Sequence, residues 1–167
     1  RLRVQLDLSG HPQVGTIPFV QTFVTRWMRG TLADLRTTVE AGRSSADSFT
    51  WRMLQAWVEL GAGDQEAARA LLDDCPLDEL AEADAGYLWM YGTVGAAVVS
   101  STVGDRRWAE AARQALAPYS GRNCVLGYAA YLGAVDHHLG CVEVTLGRLD
   151  DAVAHLEAAL ERHRTIG

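Results

Sequence analysis

Leu146-Gly147-Arg148-Leu149-Asp150-Asp151-Ala152-Val153-Ala154-His155-Leu156-Glu157-Ala158-Ala159-Leu160 reads as the end of one helix, a tight reversal and the start of the next. Gly147 suits a helix C-terminus, because the left-handed backbone that closes a helix costs glycine little. Asp150 follows closely, and a carboxylate there favours the positive end of the coming helix. Ala152, Val153, Leu156, Ala159 and Leu160 then recur at helical spacing and form one apolar face.

The same turn occurs three more times. A closing glycine is followed five positions later by an apolar or small residue: Gly30 with Leu35, Gly63 with Ala68, Gly104 with Ala109, and Gly147 with Ala152. Asp64 and Asp105 repeat the early acid of Asp150. Seven residues before each glycine stand Phe23, Ala56, Ala97 and Gly140, and the three small ones let neighbouring helices approach closely. These turns predict four helix pairs, at 17–41 (17–29 with 32–41), 48–74 (48–61 with 64–74), 84–117 (84–103 with 105–117) and 124–165 (124–146 with 149–165). Pro18, Pro76 and Pro118 lie near helix ends, where proline is tolerated. Only Leu2-Arg3-Val4-Gln5-Leu6-Asp7-Leu8 alternates like a strand, and we read it as the remnant of an earlier helix. The glycines are spaced by 33, 41 and 43 residues. Hairpins repeating at such intervals bury their apolar faces by stacking. The expected fold is therefore all-α: an α-solenoid of about four antiparallel helix hairpins within one domain over 1–167.

Composition narrows the function. The chain has 167 residues, of which 49% are hydrophobic and 22% charged, enough for a packed core and unlike a disordered segment. Its net charge is −6, and it has no run of basic residues that would displace counterions from a duplex, so direct nucleic-acid binding is not expected. Cys75, Cys124 and Cys141 are scattered without a CxxC pair, which argues against a disulfide framework or a zinc site and suits a cytoplasmic location. Residues 1–10 carry no secretory signal. No charge falls between Asp84 and Asp105, but that stretch holds four glycines, two serines and one leucine. A membrane span needs about 20 predominantly apolar residues; a helix packed on every side is the expectation here. The chain starts without Met and stops just after a helical pattern, so it is expected to be a piece of a longer protein.

Two stretches go beyond a generic repeat. Residues 146–152 with Leu156-Glu157-Ala158-Ala159-Leu160 resemble a tetratricopeptide turn and second helix, which implies a right-handed superhelix with a concave groove. Pro118-Tyr119-Ser120-Gly121-Arg122-Asn123, followed by Tyr131-Leu132-Gly133, resembles the C-terminal repeat region of large bacterial ATPase-type signalling proteins. These include LuxR- and MalT-like transcriptional regulators and cyclase-linked ATPases of actinobacteria. The resemblance is best over 84–167 and implies a sensor or scaffold arm. The nucleotide-binding, DNA-binding or cyclase motifs of such proteins are not in this sequence, so it assigns no catalytic residue. The first pair departs most from the pattern, with Leu35 and Gly42 at helix-packing positions.

Candidate chemistry is sparse. Asp136, His137, His138, Cys141 and Glu143 form the one cluster of ligand-like residues. His137 and Cys141, four apart, could share a metal only if a third ligand came from His155 or His163 on the partner helix. A Cys–His nucleophile would also need an orienting group and oxyanion donors, for which there is no motif. Gly92-Thr93-Val94-Gly95 falls mid-helix, where it cannot cradle a phosphate. The acids Asp73, Asp74, Asp78, Glu79, Glu82 and Asp84 read as a solvated connection. No catalytic residue, metal or cofactor is assigned.

The expected binding surface is the concave face. Counting back six and ten residues from each closing glycine gives Val24 and Val20, Trp57 and Met53, Val98 and Val94, and Cys141 and His137; Tyr91 lies thirteen before Gly104. Trp, Tyr and Met are common binding anchors, although stripes at helical spacing also form plain core. The sequence thus predicts a non-catalytic interaction or sensor module of a bacterial regulator. It would bind a protein or peptide partner, or another part of its own chain. The alternatives are a small-molecule sensor around Trp57, Tyr91 and His137, and a structural or oligomerisation arm. Self-association is expected through the terminal helices, over 150–164 or the first pair.

Overall fold

A computed structural model describes residues 16–45, 48–82, 88–126 and 130–166. The strand-like stretch at 2–8 and the acid Asp84 lie outside them.

The chain reverses where the glycines stand. Gly30, Gly63, Gly104 and Gly147 all have left-handed backbones, with φ of 67°, 81°, 73° and 79°. Each is followed by a residue whose N–H reaches back five positions to the helix before it. These bonds run from Thr31 to Arg26, Asp64 to Glu59, Asp105 to Ser100 and Arg148 to Glu143, each at 2.9 Å. Such six-to-one closures satisfy carbonyls that a helix end would otherwise leave bare. Two acids then cap the next helix, as Asp64 accepts from the Ala67 N–H and Asp105 from the Trp108 N–H, both at 2.9 Å.

The helices so delimited are α1 (Thr16–Met28), α2 (Arg36–Ser45) after a 3-10 turn at Leu32–Leu35, α3 (Phe49–Gly61), α4 (Gln65–Asp73), α5 (Asp78–Glu82), α6 (Trp89–Val103), α7 (Arg106–Leu116), α8 (Val135–Leu146) and α9 (Leu149–Ile166). A hairpin of β1 (Asn123–Leu126) and β2 (Ala130–Ala134) stands between α7 and α8. Antiparallel neighbours α3/α4, α6/α7 and α8/α9 pack as pairs. The pairs meet through α3 on α6, α6 on α8, and α7 on α8. The described structure is thus mostly helical, with one small two-stranded sheet.

Both repeat positions marked by the glycines face the core. Leu35, Ala68, Ala109 and Ala152 are buried, as are Phe23, Ala56, Ala97 and Gly140. The charge-free helix α6 is buried nearly all round, from Tyr91 to Ala97 and again at Val99 and Ser100. Its small residues set the approach distance: a methyl on Gly92 would come within 2.9 Å of the Phe49 ring, and one on Gly95 within 3.1 Å of Met53. No helix of the described residues is long and apolar enough to cross a membrane. Aromatic rings fill the centre, with Phe23 edge-on to both Trp57 and Tyr91 at 5.4 and 5.7 Å and Phe49 stacked on Trp108 at 6.2 Å. The polar tips of two are satisfied: Trp108 Nε1–H donates to the Leu72 carbonyl at 3.2 Å, and the Tyr91 hydroxyl donates to that of Val20 at 3.3 Å.

Guanidinium groups tie successive pairs together at helix C-termini, where cations are favoured. Arg69 of α4 donates to the Val103 carbonyl that ends α6. Arg106 of α7 donates to the carbonyls of Thr145 and Leu146 that end α8, at 2.9 and 2.7 Å.

Two segments differ from the sequence expectation. The first helix of the fourth pair does not run from 124; it starts at Val135, and 123–134 form the hairpin. Gly121 and Gly133 have left-handed backbones, with φ of 75° and 98°, which no helix can run through. Between them the residues alternate, with Cys124 and Leu132 buried and Val125 and Tyr131 exposed, as a half-buried strand requires. The second is the acidic connection after α4, which is more than a solvated loop. It forms α5, and Glu79 pairs with Arg52 of α3 at 2.8 Å.

The packing makes a stability prediction. A methyl on Gly140 would lie 2.6 Å from Leu156 Cγ and 3.3 Å from the Ala152 carbonyl, whereas one on Gly30 meets nothing within 4 Å. Gly140→Ala is expected to destabilise by about 1–3 kcal/mol through overpacking. Gly30→Ala is expected to cost about 1 kcal/mol through its backbone alone. Urea unfolding of both variants checks this; a Gly140→Ala midpoint equal to wild type would refute the close approach of α8 to α9.

Candidate functional site

The residues on either side of the hairpin are fixed by one carboxylate. Asp136, in the first turn of α8 and buried, accepts from the Ser120 hydroxyl at 2.8 Å and from the Gly121 N–H at 2.7 Å. It also accepts from Nδ1–H of His155 on α9 at 2.8 Å. The Val135 N–H closes the arrangement on the Arg122 carbonyl at 2.9 Å. Burial alone would raise the Asp136 pKa, but the Gly121, Ser120 and His155 donors outweigh it and hold the carboxyl below its usual value. The Pro118–Asn123 run therefore has a structural meaning: its Ser120 hydroxyl, Gly121 N–H and Arg122 carbonyl latch onto the start of α8. Ser120, Asp136 and His155 are the residue types of a hydrolytic triad in the wrong order. The imidazole must lie between the hydroxyl and the carboxylate to act as base, and here the carboxylate lies between them.

The latch positions β2 beside the ends of α1 and α9. There Trp27 and Met28 of α1, Tyr131, Leu132 and Gly133 of β2, His137 of α8, and His163 and Ile166 of α9 line an open cleft of about 460 Å³. Its walls are mainly apolar, and Met28 is 79% exposed. Its lining includes two imidazoles, His137 and His163. His163 Nε2 accepts from the Ala134 N–H at 3.0 Å, which leaves the ring proton on Nδ1 in the neutral form. His138 lies behind it, fully buried, with Nε2–H donating to the Leu132 carbonyl at 2.9 Å. His137 packs edge-on to His138 at 5.2 Å and lies 6.2 Å from His163, centroid to centroid. Burial pushes the His137 pKa down, and the neighbouring His163 adds to this. Burial takes His138 down to about 4.

The residues picked out by counting along the first helices divide into two groups. Val20, Val24, Met53, Trp57, Tyr91 and Val94 are core, buried where α1, α3 and α6 meet, and so are not offered to a partner. Trp57 and the partly buried Val98 reach the edge of a second, smaller hollow with Trp27 and Leu32. His137 is exposed in the cleft, and Cys141, one turn on, is half-buried. Burial raises the Cys141 thiol pKa. It takes Cys124 up to about 12, with the Asp136 charge adding to the effect. Both are poor thiolates, and a nucleophilic cysteine needs the opposite shift. His155 is held by Asp136, and His163, although 6.2 Å from His137 ring to ring, has its Nε2 occupied by the Ala134 N–H. No group of three His, Cys, Asp or Glu among the described residues is placed to hold a metal. The counting missed Trp27, Met28, Tyr131, His163 and Ile166, which come together only in three dimensions.

No protein-family model matches the chain, and no curated protein or solved structure matches it.

The buried imidazole sets a pH dependence. His138 has a folded pKa of about 4 against an ordinary value of 6.5, so the unfolded chain binds its proton first. The stability is fully present above pH 6.5 and falls as the pH drops towards 4, with a slope approaching about 1.4 kcal/mol per pH unit for one proton. His138→Gln is expected to flatten the urea-derived stability profile across that window by about one proton's worth. An unchanged slope would contradict a neutral, buried His138.

Proposed function

We propose that the chain is a helical-repeat interaction module, an α-solenoid of the tetratricopeptide type. In this reading it belongs to a bacterial signalling or transcriptional regulator and docks a protein or peptide segment without catalysing a reaction. The repeated glycine closures, the successive stacking of α3/α4, α6/α7 and α8/α9, and the inter-pair arginine caps support the repeat architecture. The resemblance of 118–123 and 131–133 to regulator repeat regions supports the setting, and that of 146–160 to a tetratricopeptide turn supports the repeat type.

One observation carries the binding role: Trp27, Met28, Tyr131 and Ile166 stand around an open cleft that also holds the imidazoles of His137 and His163. Exposed Met and aromatic side chains around a concavity supply adaptable apolar area that a partner can cover. Because the cleft is built where the first and last described helices meet the hairpin, an occupant would brace the two ends of the stack against each other. That is a direct route for docking to bias a neighbouring domain. The volume of about 460 Å³ also suits a drug-sized molecule, and this favours small-ligand sensing as the second reading.

Selection of a displayed peptide library on the protein tests the proposal. Apolar, aromatic-containing peptides are expected, with affinity reduced at least about tenfold by Met28→Asp or Tyr131→Ala, roughly the loss of one anchor. Peptides indifferent to both substitutions would contradict docking in the cleft. No selected peptide, together with a small aromatic fragment bound there, would transfer the role to small-ligand sensing.

A further inference from the structure

We infer that the outer face of α9 is a second docking surface, shaped for a basic amphipathic helix. Leu149, Val153, Leu156 and Leu160 are spaced at i, i+4, i+7 and i+11, so they form one line along the helix. All four are between 37% and 62% exposed. The side that holds α9 in the fold is centred on the buried Ala152 and Ala159; of the four, Leu156 at the edge of the stripe also reaches it, against Gly140 of α8. A stripe of this form, about three turns long, matches the apolar seam that a second helix would lay against it.

Charge decides what kind of helix. Asp150, Glu157 and Glu161 recur at i, i+7 and i+11 and run beside the stripe on its outer flank, all exposed. Arg164 follows on the same flank at the C-terminal end. A partner helix lying in the stripe would therefore face a mostly acidic row, and Lys or Arg beside its own apolar positions would meet it. A second copy of α9 fits less well. The antiparallel register that matches all four apolar residues sets Leu149 against Leu160 and Val153 against Leu156 of the other copy. In that register Asp150 falls beside Glu157 of the other copy, acid against acid, which is unfavourable. This surface is separate from the cleft, and the inference does not depend on what the cleft binds.

The probes are two synthetic helical peptides of about 18 residues, the length of α9 at 1.5 Å rise per residue. Both carry Leu at i, i+4, i+7 and i+11; one has Lys beside the stripe and the other Glu. Binding to the full chain is followed by fluorescence anisotropy. The basic peptide is expected to bind at least about tenfold more tightly than the acidic one, and to weaken as salt is raised. Val153→Ser with Leu160→Ser is expected to lower its affinity at least about tenfold. These side chains are exposed, so the urea midpoint should stay near wild type. Glu157→Arg with Glu161→Arg is expected to invert the preference towards the acidic peptide, a gain that misfolding cannot mimic. Met28→Asp should leave all of these results unchanged, which separates this surface from the cleft. No binding of the basic peptide, equal binding of both, or indifference to Val153→Ser with Leu160→Ser overturns the inference. So does a dimer in sedimentation that the same pair of substitutions dissolves, because a second copy would then be the occupant.

Discussion

Four left-handed glycines, each followed by a bond from the next N–H to a carbonyl five residues back, turn the chain at Gly30, Gly63, Gly104 and Gly147. A helix that ended without such a closure would leave carbonyls unpaired and the direction of the following segment free. With the closure, the next helix returns against the previous one, and its fifth residue after the glycine falls on the shared interface. That is why Leu35, Ala68, Ala109 and Ala152 are all buried. At Gly140, seven before the last of these glycines, the missing side chain lets α9 approach α8 closely. Arginines capping α6 and α8 from the preceding pair use the carbonyls the closures leave.

The last pair departs from the others because a hairpin replaces the first part of its leading helix. The Asp136 carboxylate is what makes this possible. It gathers the Ser120 hydroxyl, the Gly121 N–H and the His155 imidazole, groups from the turn after α7 and from α9, onto the first turn of α8. The hairpin is thereby held with β1 against α6 and β2 against α1, α8 and α9. Without that insertion there would be no wall for the cleft, since Tyr131, Leu132 and Gly133 supply one side of it. The same short segment that replaces the start of the helix therefore supplies one wall of the cleft.

Much of the fold was readable from local patterns, because glycine, aspartate and apolar spacing act over a single turn. The reversals at 30, 63, 104 and 147 and the buried, charge-free α6 follow from those patterns alone. The hairpin was not readable in this way. Periodicity counted back from Gly147 continues through 124–134, and the decisive features are the left-handed backbones of Gly121 and Gly133, which look like ordinary small residues in a sequence. The site was harder still. Counting from the closures identifies inward-facing positions, and for Val20, Met53, Trp57, Tyr91 and Val94 inward means core, because the long first helices pack against one another. The cleft joins Trp27 and Met28 to Tyr131, His137, His163 and Ile166, which are more than a hundred residues away along the chain. Only His137 was anticipated as a binding residue, by counting ten back from Gly147. The clearest missed signal was exposure of large apolar residues at helix ends, at Met28 and Ile166, which a sequence alone does not reveal.

The central claim is that this stack of helix pairs binds through the cleft between α1, the hairpin and α9. The most direct measurement is a crystal structure of the chain with a selected peptide. The account predicts the peptide lying across Trp27, Met28, Tyr131 and Ile166, within hydrogen-bonding reach of His137 or His163. A peptide seated elsewhere on the helices, with the cleft left empty, would contradict it.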